Sequence, residues 1–282
     1  MSAPADAPLS GVEVLDLSQG IAGAYCSMIL QELGARVVKC EPPGGEWTRR
    51  LDPVIGGTSA LFAAMNSGKR SIVVDLKTAA GVELVKRAAG HVDLLIDSMR
   101  PGVLARLGLG ADDLRERNPA LVHTSITGFG QTGPWAMRPA VDVIAQALGG
   151  MLAVTGPKDG DPVRAPLVAD LHCGAMAAIG SLARLYAARE DGGGGRVDAN
   201  LVESVMGLQR SSLVVAAFTG ERPARLGSDA EYAAPNGAFR ALDGHVAIAA
   251  NLPGRWEAFC EVIGAPELLA EERFSDNHGR VV

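Results

Sequence analysis

The chain has 282 residues, of which 48% are apolar and 21% charged, a composition typical of a globular protein with a full hydrophobic core. Only 4% of the residues are aromatic, and the net charge of -6 comes without a basic stripe. These features argue against base stacking on single-stranded nucleic acid and against binding driven by phosphate neutralisation, so we expect no nucleic-acid partner.

Metal and membrane sites are also not expected. The four cysteines are scattered singly along the chain, without the spacing of a zinc site or of a disulfide framework. The opening MSAPADAPLSG has neither a basic segment nor the apolar core of a signal peptide, and no apolar run approaches the ~18 residues that cross a bilayer. We therefore expect a cytoplasmic protein that holds no metal.

Short aliphatic runs alternate with helical segments in the first half of the chain. Residues 12–17, 36–40, 71–75, 92–97 and 121–126 are predicted strands. After the first of these strands, apolar residues recur at helical spacing, and Gly34 stands where a left-handed C-cap would end that helix. Thr78 is the predicted N-cap of a later helix.

This alternation predicts an α/β fold with a mostly parallel sheet, because strands separated by helices need crossover connections. In such sheets, ligands bind outside the carboxyl ends of the strands. Several basic residues follow or flank these ends and would suit a phosphorylated ligand, although each alone could be a solvated surface charge. They are Lys69, Arg70, Lys77, Arg100 and Arg106.

Asp170 precedes a long helical pattern in the second half of the chain. Residues 167–169 form a short apolar stretch that we expect to be extended, so Asp170 would be the N-cap of the helix. A carboxylate in that position stays ionised, and free N–H groups beside it could stabilise an oxyanion. From the residues alone, both a structural cap and a nucleophile remain open. His172 is expected to have a structural role.

Two other enzyme classes find little support. The chain has no GxSxG elbow of an α/β-hydrolase. SQGIAGAYC offers only Gly20 and Gly23 where a dinucleotide fingerprint needs GxGxxG. Glu41 follows the second strand, where a dehydrogenase holds the ribose, and it keeps a weak dehydrogenase hypothesis open.

Several segments together resemble the family III CoA-transferases, whose close relatives are the α-methylacyl-CoA racemases. The segments run in the family's order through almost the whole chain and are more specific together than any one alone. They are LSGVEVLDLSQGIAGAYCSMILQELGARVVKCEPPGGEWTR, MNSGKRSIVVDLKTAAG, VDLLIDSMRPGVLARLGL, NPALVHTSITGFGQTGP and PLVADLHCGAMAAIGSLARLY.

The resemblance implies a Rossmann-like large domain, a smaller second domain and a homodimer of interlocked chains. It implies an acyl-CoA and a small carboxylic acid as substrates, with Asp170 of the VAD segment as the covalent nucleophile. The coenzyme A contacts carried over from the family are Val74, Lys77, Asp97, Ser98, Met99 and Arg106. The family usually has Glu-Asn-Phe where this chain has Asp97, Ser98 and Met99.

Departures from the family pattern favour transfer over racemisation. The racemases have a histidine where this chain has Val141, and racemisation needs two bases that flank the α-carbon. Ile21 replaces the glutamine that lies beside the substrate in formyl-CoA transferase, which argues against formyl-CoA and oxalate. The tetraglycine flap of that enzyme is also missing.

The expected domains are a large catalytic domain over residues 1–205, a connector over 206–228 and the start of a small domain over 229–282. The ending ELLAEERFSDNHGRVV resembles a mid-domain segment of the family, so we expect that a C-terminal part is absent. Two alternatives to the transferase stay open. They are an acyl-CoA racemase and a shortened, non-catalytic protein that binds coenzyme A or supports assembly.

Overall fold

Strands and helices alternate through the computed structural model, which describes residues 6–252 and 254–281. The strands are β1 (Glu13–Asp16), β2 (Arg36–Glu41), β3 (Val54–Ile55), β4 (Thr58–Ser59), β5 (Arg70–Val73), β6 (Leu94–Asp97), β7 (Val122–Thr127), β8 (Gly195–Asn200), β9 (Asn236–Arg240) and β10 (His245–Ala249). The helices are α1 (Ile21–Glu32), α2 (Ala60–Asn66), α3 (Ala79–Ala89), α4 (Val103–Arg106), α5 (Ala111–Arg115), α6 (Asp142–Leu148), α7 (Met151–Val154), α8 (Val168–Asp191), α9 (Leu201–Leu208), α10 (Arg210–Thr219), α11 (Arg255–Val262) and α12 (Asn277–Val281).

A six-stranded sheet forms the centre of the larger unit, with the strand order β5-β2-β1-β6-β7-β8. Every neighbouring pair in this sheet is parallel; Val14, for example, pairs with Val37 on one side and with Leu94 on the other. The predicted α/β class and its parallel sheet are therefore confirmed. Two short antiparallel pairs, β3 with β4 and β9 with β10, lie outside this sheet.

Helices cover both faces of the sheet, because successive side chains of a strand point to opposite sides. Leu15 and Leu95 pack with residues of α3, α4 and α5 in one hydrophobic cluster. On the other face, the side chain of Asp16 accepts a hydrogen bond from Ser27 of α1. Helix α8 packs against α1 on that face, and its Ser181 bonds to Thr124 of β7.

The two predicted helix caps are confirmed. The Thr78 side chain accepts a hydrogen bond from Gly81 N at the start of α3. Gly34 follows α1 with a φ of +106°, and a Cβ at this position would lie 2.4 Å from the Cβ of Ala7. Only glycine fits this turn without strain, so the chain can leave α1 and enter β2 directly.

Four buried charges lie on the α1 face under the loops that follow β1 and β2. Lys39 Nζ is 3.1 Å from Glu46 Oε2 and 3.7 Å from Asp16 Oδ2, and Lys69 Nζ is 3.6 Å from the same Asp16 oxygen. All four side chains are at most 2% exposed. Each charge is therefore compensated by its neighbours rather than by water.

The pKa values of these groups depend on that compensation. Burial alone would raise the pKa of Asp16, but the two lysine ammonium groups and the serine hydroxyls outweigh it and hold the pKa below its usual range. Burial lowers the pKa of Lys69 to about 8, against the attraction of Asp16. Removal of one of these four charges would therefore leave the others buried with less compensation.

The described chain forms two compact units. One holds the described residues up to Gly150 together with Ala165–Ser211, and the other holds Met151–Arg164 and the residues from Ser212. The predicted domain boundaries stay a prediction. The expected connector over 206–228 contains the end of α9 and the whole of α10, so most of it is helical as far as Thr219. Among the described residues no single helix is long and apolar enough to span a membrane. Of the same residues, only α9 and α10 taken together, as a bent pair, have the length and composition of such a segment.

We predict that Lys39→Met lowers the free energy of unfolding by about 3–5 kcal/mol, because it leaves Asp16 and Glu46 buried with less compensation. Urea unfolding measures this loss. The double variant Lys39→Met/Glu46→Gln should recover part of it, since it also removes a buried charge. Lys158→Met, at an exposed lysine, is the matched control. A loss below ~1 kcal/mol for Lys39→Met would contradict the compensation described above.

Candidate active site

Asp170 lies in the first turn of α8 and not at its N-cap. The helix begins at Val168, and the N-cap is Leu167, which has a φ of 53° in the left-handed region. The expectation of an extended stretch over 167–169 is therefore wrong, as is the assignment of Asp170 as the cap. The helix starts earlier because another segment of the chain binds its first N–H groups.

That segment is α6, whose first residue, Asp142, caps α8 from a distance. Asp142 Oδ1 accepts hydrogen bonds from Ala169 N at 2.9 Å and from Asp170 N at 3.3 Å. Asp142 Oδ2 accepts a bond of 2.5 Å from Gln146 Nε2, one turn later on α6. Gln146 also bonds to both backbone groups of Ala165. A buried network thus connects α6 to the residues that precede α8.

The capping by Asp142 leaves the Asp170 carboxylate without a hydrogen bond from any residue that the structure describes. Asp170 is partly buried. Burial, and then the charge of Asp142, raise the pKa of Asp170 to about 6. The N–H groups of Ala169 and Asp170, which the sequence suggested could be free to stabilise an oxyanion, are instead bonded to Asp142.

The position of Asp170 relative to the sheet follows from the packing of α1 on α8. A Cβ on Gly174 would lie 2.5 Å from Ala22 O in the first turn of α1, and α8 ends at Asp191, shortly before the parallel strand β8 begins at Gly195. The two helices therefore run in the same direction, with their first turns at the same end. Because α1 begins directly after β1, that end is the carboxyl edge of the sheet.

Three aspartates close turns at this edge in the same way. In each case Oδ1 accepts a hydrogen bond from the backbone N–H two residues later, a turn that aspartate side chains commonly form. The pairs are Asp16 with Ser18 at 2.9 Å, Asp75 with Lys77 at 3.0 Å and Asp97 with Met99 at 2.9 Å. Three loops at the carboxyl ends of β1, β5 and β6 are thereby held in defined conformations.

The residues carried over as coenzyme A contacts lie at the end of β6 or in the segments that follow β5 and β6. Val74 is buried in the hydrophobic cluster that covers the α3 face, and Met99 packs against the same cluster. Lys77 and Arg106 are exposed. The Ser98 hydroxyl accepts a bond from Gln19 N at 2.8 Å and donates to Gln19 O at 3.0 Å. Their role as ligand contacts stays a prediction.

Asp97 differs from the others because its carboxylate is buried and already engaged. Besides Met99 N, it accepts a bond of 2.7 Å from Ser125 Oγ and lies 2.9 Å from His123 Nε2. Three of the roughly four acceptor positions of this carboxylate are therefore already taken. Its predicted contact with coenzyme A would therefore act through the turn that it holds.

Glu41 and Lys69, which the sequence suggested as ligand contacts, are both bonded to other side chains in the structure. Glu41 is buried, and its carboxylate accepts two bonds of 2.6 Å from Arg49 and one of 2.5 Å from Ser71. The hydrogen bonds from Arg49 are the main cause that lowers its pKa to about 2. The carboxylate is thus unavailable to a ribose, which removes support for a dehydrogenase. Lys69 is buried against Asp16 and unavailable to a phosphorylated ligand.

His172, for which a structural role was expected, lies apart from these contacts. It lines a groove of about 270 Å³ between α8 and α9 together with Asn200 and Glu203. Within the described residues, no group of three His, Cys, Asp or Glu side chains could hold a metal ion. Sequence reasoning missed Asp142 and Gln146, although an aspartate and a glutamine four residues apart on one helical face are a pairing signal.

Comparison with known proteins found a family model and several relatives that match most of this chain. The model of CoA-transferase family III matches residues 9–282. An acetyl-CoA:oxalate CoA-transferase of Acetobacter aceti is 39% identical over 97% of this chain and 71% of its own length. The succinyl-CoA:glutarate CoA-transferase of Homo sapiens is 37% identical over 97% of this chain and 63% of its own length. The crystal structure of a CAIB/BAIF family protein from Brucella suis has a TM-score of 0.87 and 34% identity, over 97% of this chain and 74% of that one.

We predict that Asp170→Asn increases the free energy of unfolding at neutral pH. The folded state raises the pKa of Asp170 from 3.8 to about 6, so it binds the proton more tightly than the unfolded state does. The stability that this group contributes is present below pH 4 and is lost as the pH rises through 6. The asparagine variant should be more stable by on the order of 1–3 kcal/mol at pH 7.5 and about equal at pH 4. Urea unfolding at both pH values tests this, and equal stability of the two proteins at pH 7.5 would contradict the raised pKa.

Proposed function

This chain belongs to CoA-transferase family III, and we propose that it moves coenzyme A from an acyl-CoA donor to a free carboxylic acid through an aspartyl-CoA thioester on Asp170. Transfer between acyl-CoA and carboxylate substrates is the activity of the family. The covalent step and the residue that performs it are the proposal. The relatives described above act on oxalate and glutarate, so a search for the substrates of this chain starts with short dicarboxylic acids and their CoA esters, and it includes oxalate as a test of the expectation from Ile21.

One observation carries this proposal, the state of the Asp170 carboxylate. A carboxylate is a weak nucleophile in water because hydration and hydrogen bonds stabilise its charge. Asp170 is partly buried and accepts no hydrogen bond from the described residues, and its pKa is raised to about 6. Above pH 6 the group is ionised and more basic than an exposed aspartate. These properties support a nucleophile and do not fit a helix cap.

The first half of the reaction would transfer coenzyme A to the protein. An Asp170 oxygen attacks the thioester carbonyl of the donor, and the carbon–sulfur bond breaks. CoA departs as its thiolate, and a mixed anhydride of Asp170 and the donor acid is formed. The thiolate then attacks the Asp170 carbonyl. The carbon–oxygen bond breaks, and the donor acid departs as its carboxylate. The product is an aspartyl-CoA thioester.

The second half would run the same steps in reverse with the acceptor. The carboxylate of the acceptor acid attacks the aspartyl thioester and releases the thiolate, which gives a second mixed anhydride. The thiolate attacks the acyl carbonyl of the acceptor and forms the new CoA ester. The Asp170 carboxylate is regenerated, so no proton or external reagent is consumed.

Each tetrahedral intermediate carries an oxyanion that needs hydrogen-bond donors. Asp142 already occupies two donors of α8, so we assign this role to the first turn of α1 at the same end of the sheet. The N-terminus of α1 at Gly20 has no side-chain cap and no acidic residue in its first turn. Backbone donors that point at a developing oxyanion contribute roughly 3 kcal/mol each.

Racemisation is less consistent with the site. The residue before Asp142 is Val141, whose side chain cannot carry a proton, whereas a racemase needs a second base beside the α-carbon. A non-catalytic CoA-binding protein is the other alternative. Formation of a new thioester from an acyl-CoA and a free acid separates a transferase from both.

We also propose that the chain acts as a homodimer, as the family resemblance implies. Helices α6, α8 and α9 pack on one another, and each exposes large apolar side chains. Such side chains, when grouped, favour association with another protein surface. They include Ile144, Leu148, Met176, Ile179, Met206 and Leu208.

We predict that Asp170→Asn abolishes CoA transfer and leaves the fold intact, because an amide cannot form the anhydride. Transfer is measured by mass spectrometry of CoA esters after incubation with a panel of donors and acids, and the fold by circular dichroism. Asp191→Asn, the same substitution at the exposed far end of α8, is the matched control and should keep near-normal turnover. Near-normal turnover of folded Asp170→Asn would exclude Asp170 as the nucleophile.

A further inference from the structure

The turn after β6 is held by residues that lie outside every contact carried over from the family. His123 and Ser125 belong to the neighbouring strand β7, and Asp97 and Ser125 are partners in the parallel register of β6 and β7. Asp97, His123 and Ser125 therefore face the same side of the sheet. Asp97 and His123 are both only 3% exposed.

The Asp97 carboxylate collects three bonds at this point. Oδ2 accepts from Ser125 Oγ at 2.7 Å and lies 2.9 Å from His123 Nε2, and Oδ1 accepts from Met99 N at 2.9 Å. Since an ionised carboxylate only accepts hydrogen bonds, Nε2 of His123 carries a proton. The imidazole and the hydroxyl thus fix one end of the carboxylate, and its other end fixes the turn.

Ser98, in the middle of that turn, connects it to a second loop. The Ser98 hydroxyl accepts from Gln19 N at 2.8 Å and donates to Gln19 O at 3.0 Å. Gln19 lies directly before Gly20, the N-cap of α1. The hydroxyl uses its only hydrogen in this way, so the loops after β1 and β6 are joined by one side chain.

The residue types in this chain suit this arrangement. An aspartate at position 97 is short enough to close the turn on Met99 N while its second oxygen reaches β7. A serine at position 98 can bond to both backbone groups of Gln19 at once. The His123 ring lines a cavity of about 380 Å³ together with Asp97 and Met99 of the turn, and its Nδ1 has no hydrogen-bond partner in the described part of the chain. The ring is thus held through Nε2.

We propose that His123 and Ser125 are positioning residues for coenzyme A binding, which they support by holding Asp97, the turn over 97–99 and, through Ser98, the loop at Gln19. The identity of the ligand rests on the function proposed above. The hydrogen-bonded connection between the two loops does not. Neither His123 nor Ser125 needs to contact the ligand, because their effect passes through the Asp97 carboxylate.

The test uses two matched sets of variants of the 282-residue chain. Ser98→Ala removes the bonds to Gln19, and Ser181→Ala, which removes another buried hydroxyl from the opposite face of the sheet, is its control. His123→Leu removes the donor to Asp97, whereas His123→Gln places an amide N–H within similar reach of that carboxylate. The last pair separates loss of the hydrogen bond from loss of the ring.

Two measurements are made on each variant, amide hydrogen exchange and the dissociation constant of coenzyme A. A lost hydrogen bond should speed exchange at Gln19 in Ser98→Ala and at Met99 in His123→Leu by about tenfold. We expect a rise of about tenfold in the dissociation constant, and in KM for the CoA ester, with kcat changed less than about threefold. His123→Gln should restore most of both values, and Ser181→Ala should change neither.

The outcomes separate the two proposals. Unchanged exchange at Gln19 and Met99 in Ser98→Ala and His123→Leu would overturn the positioning role. Faster exchange with an unchanged dissociation constant would also overturn it, because the turn would then not control binding. If the unmodified chain does not bind coenzyme A, the proposed function fails, while the exchange data still report on the connection between the loops.

Discussion

The chemistry assigned to this protein depends on which carboxylate caps α8. Asp142 takes the N–H groups of Ala169 and Asp170, so the carboxylate of Asp170 is left partly buried and without a donor among the described residues. If Asp170 were the cap, the same donors would lower its pKa and reduce its basicity. The buried position of Asp170 beside Asp142 lowers the stability of the folded chain and raises the pKa of Asp170 to about 6. Gln146 holds Asp142 in this position, because it donates a hydrogen bond to Asp142 and also bonds to the backbone of Ala165.

Aspartates at the carboxyl edge of the sheet have the opposite role to Asp170, because they accept hydrogen bonds from the backbone. Asp16, Asp75 and Asp97 each spend one oxygen on a backbone N–H two residues later, so these carboxylates are structural. Buried lysines compensate Asp16, and His123 and Ser125 hold Asp97. These three aspartates accept backbone hydrogen bonds that fix loops, whereas the N–H groups of Ala169 and Asp170 bond to Asp142 and not to the Asp170 carboxylate.

Local patterns predicted the parts of the fold that local interactions determine. The five predicted strands of the sheet, the cap at Thr78 and the turn at Gly34 follow from aliphatic runs, side-chain capping and glycine conformation within a few residues. The start of α8 was missed because its cap, Asp142, lies 27 residues before Ala169 and 28 residues before Asp170 in the chain. The buried Lys39 was also missed, since a lysine in RVVKCE looks like an exposed strand residue until Asp16 and Glu46 are seen around it. The family resemblance pointed to Asp170 as the proposed nucleophile, but the surroundings that raise its pKa are visible only in three dimensions.

If Asp170 carries coenzyme A during turnover, as proposed, the covalent intermediate can be trapped on this residue. The chain is incubated with an acyl-CoA donor without an acceptor acid, quenched with acid and digested, and the peptides are analysed by mass spectrometry. We expect the peptide that contains Asp170 to carry the mass of coenzyme A, to become a hydroxamate with hydroxylamine and to be reduced by borohydride. Unmodified Asp170 in a preparation that catalyses transfer, or coenzyme A attached to a different residue, would contradict the account.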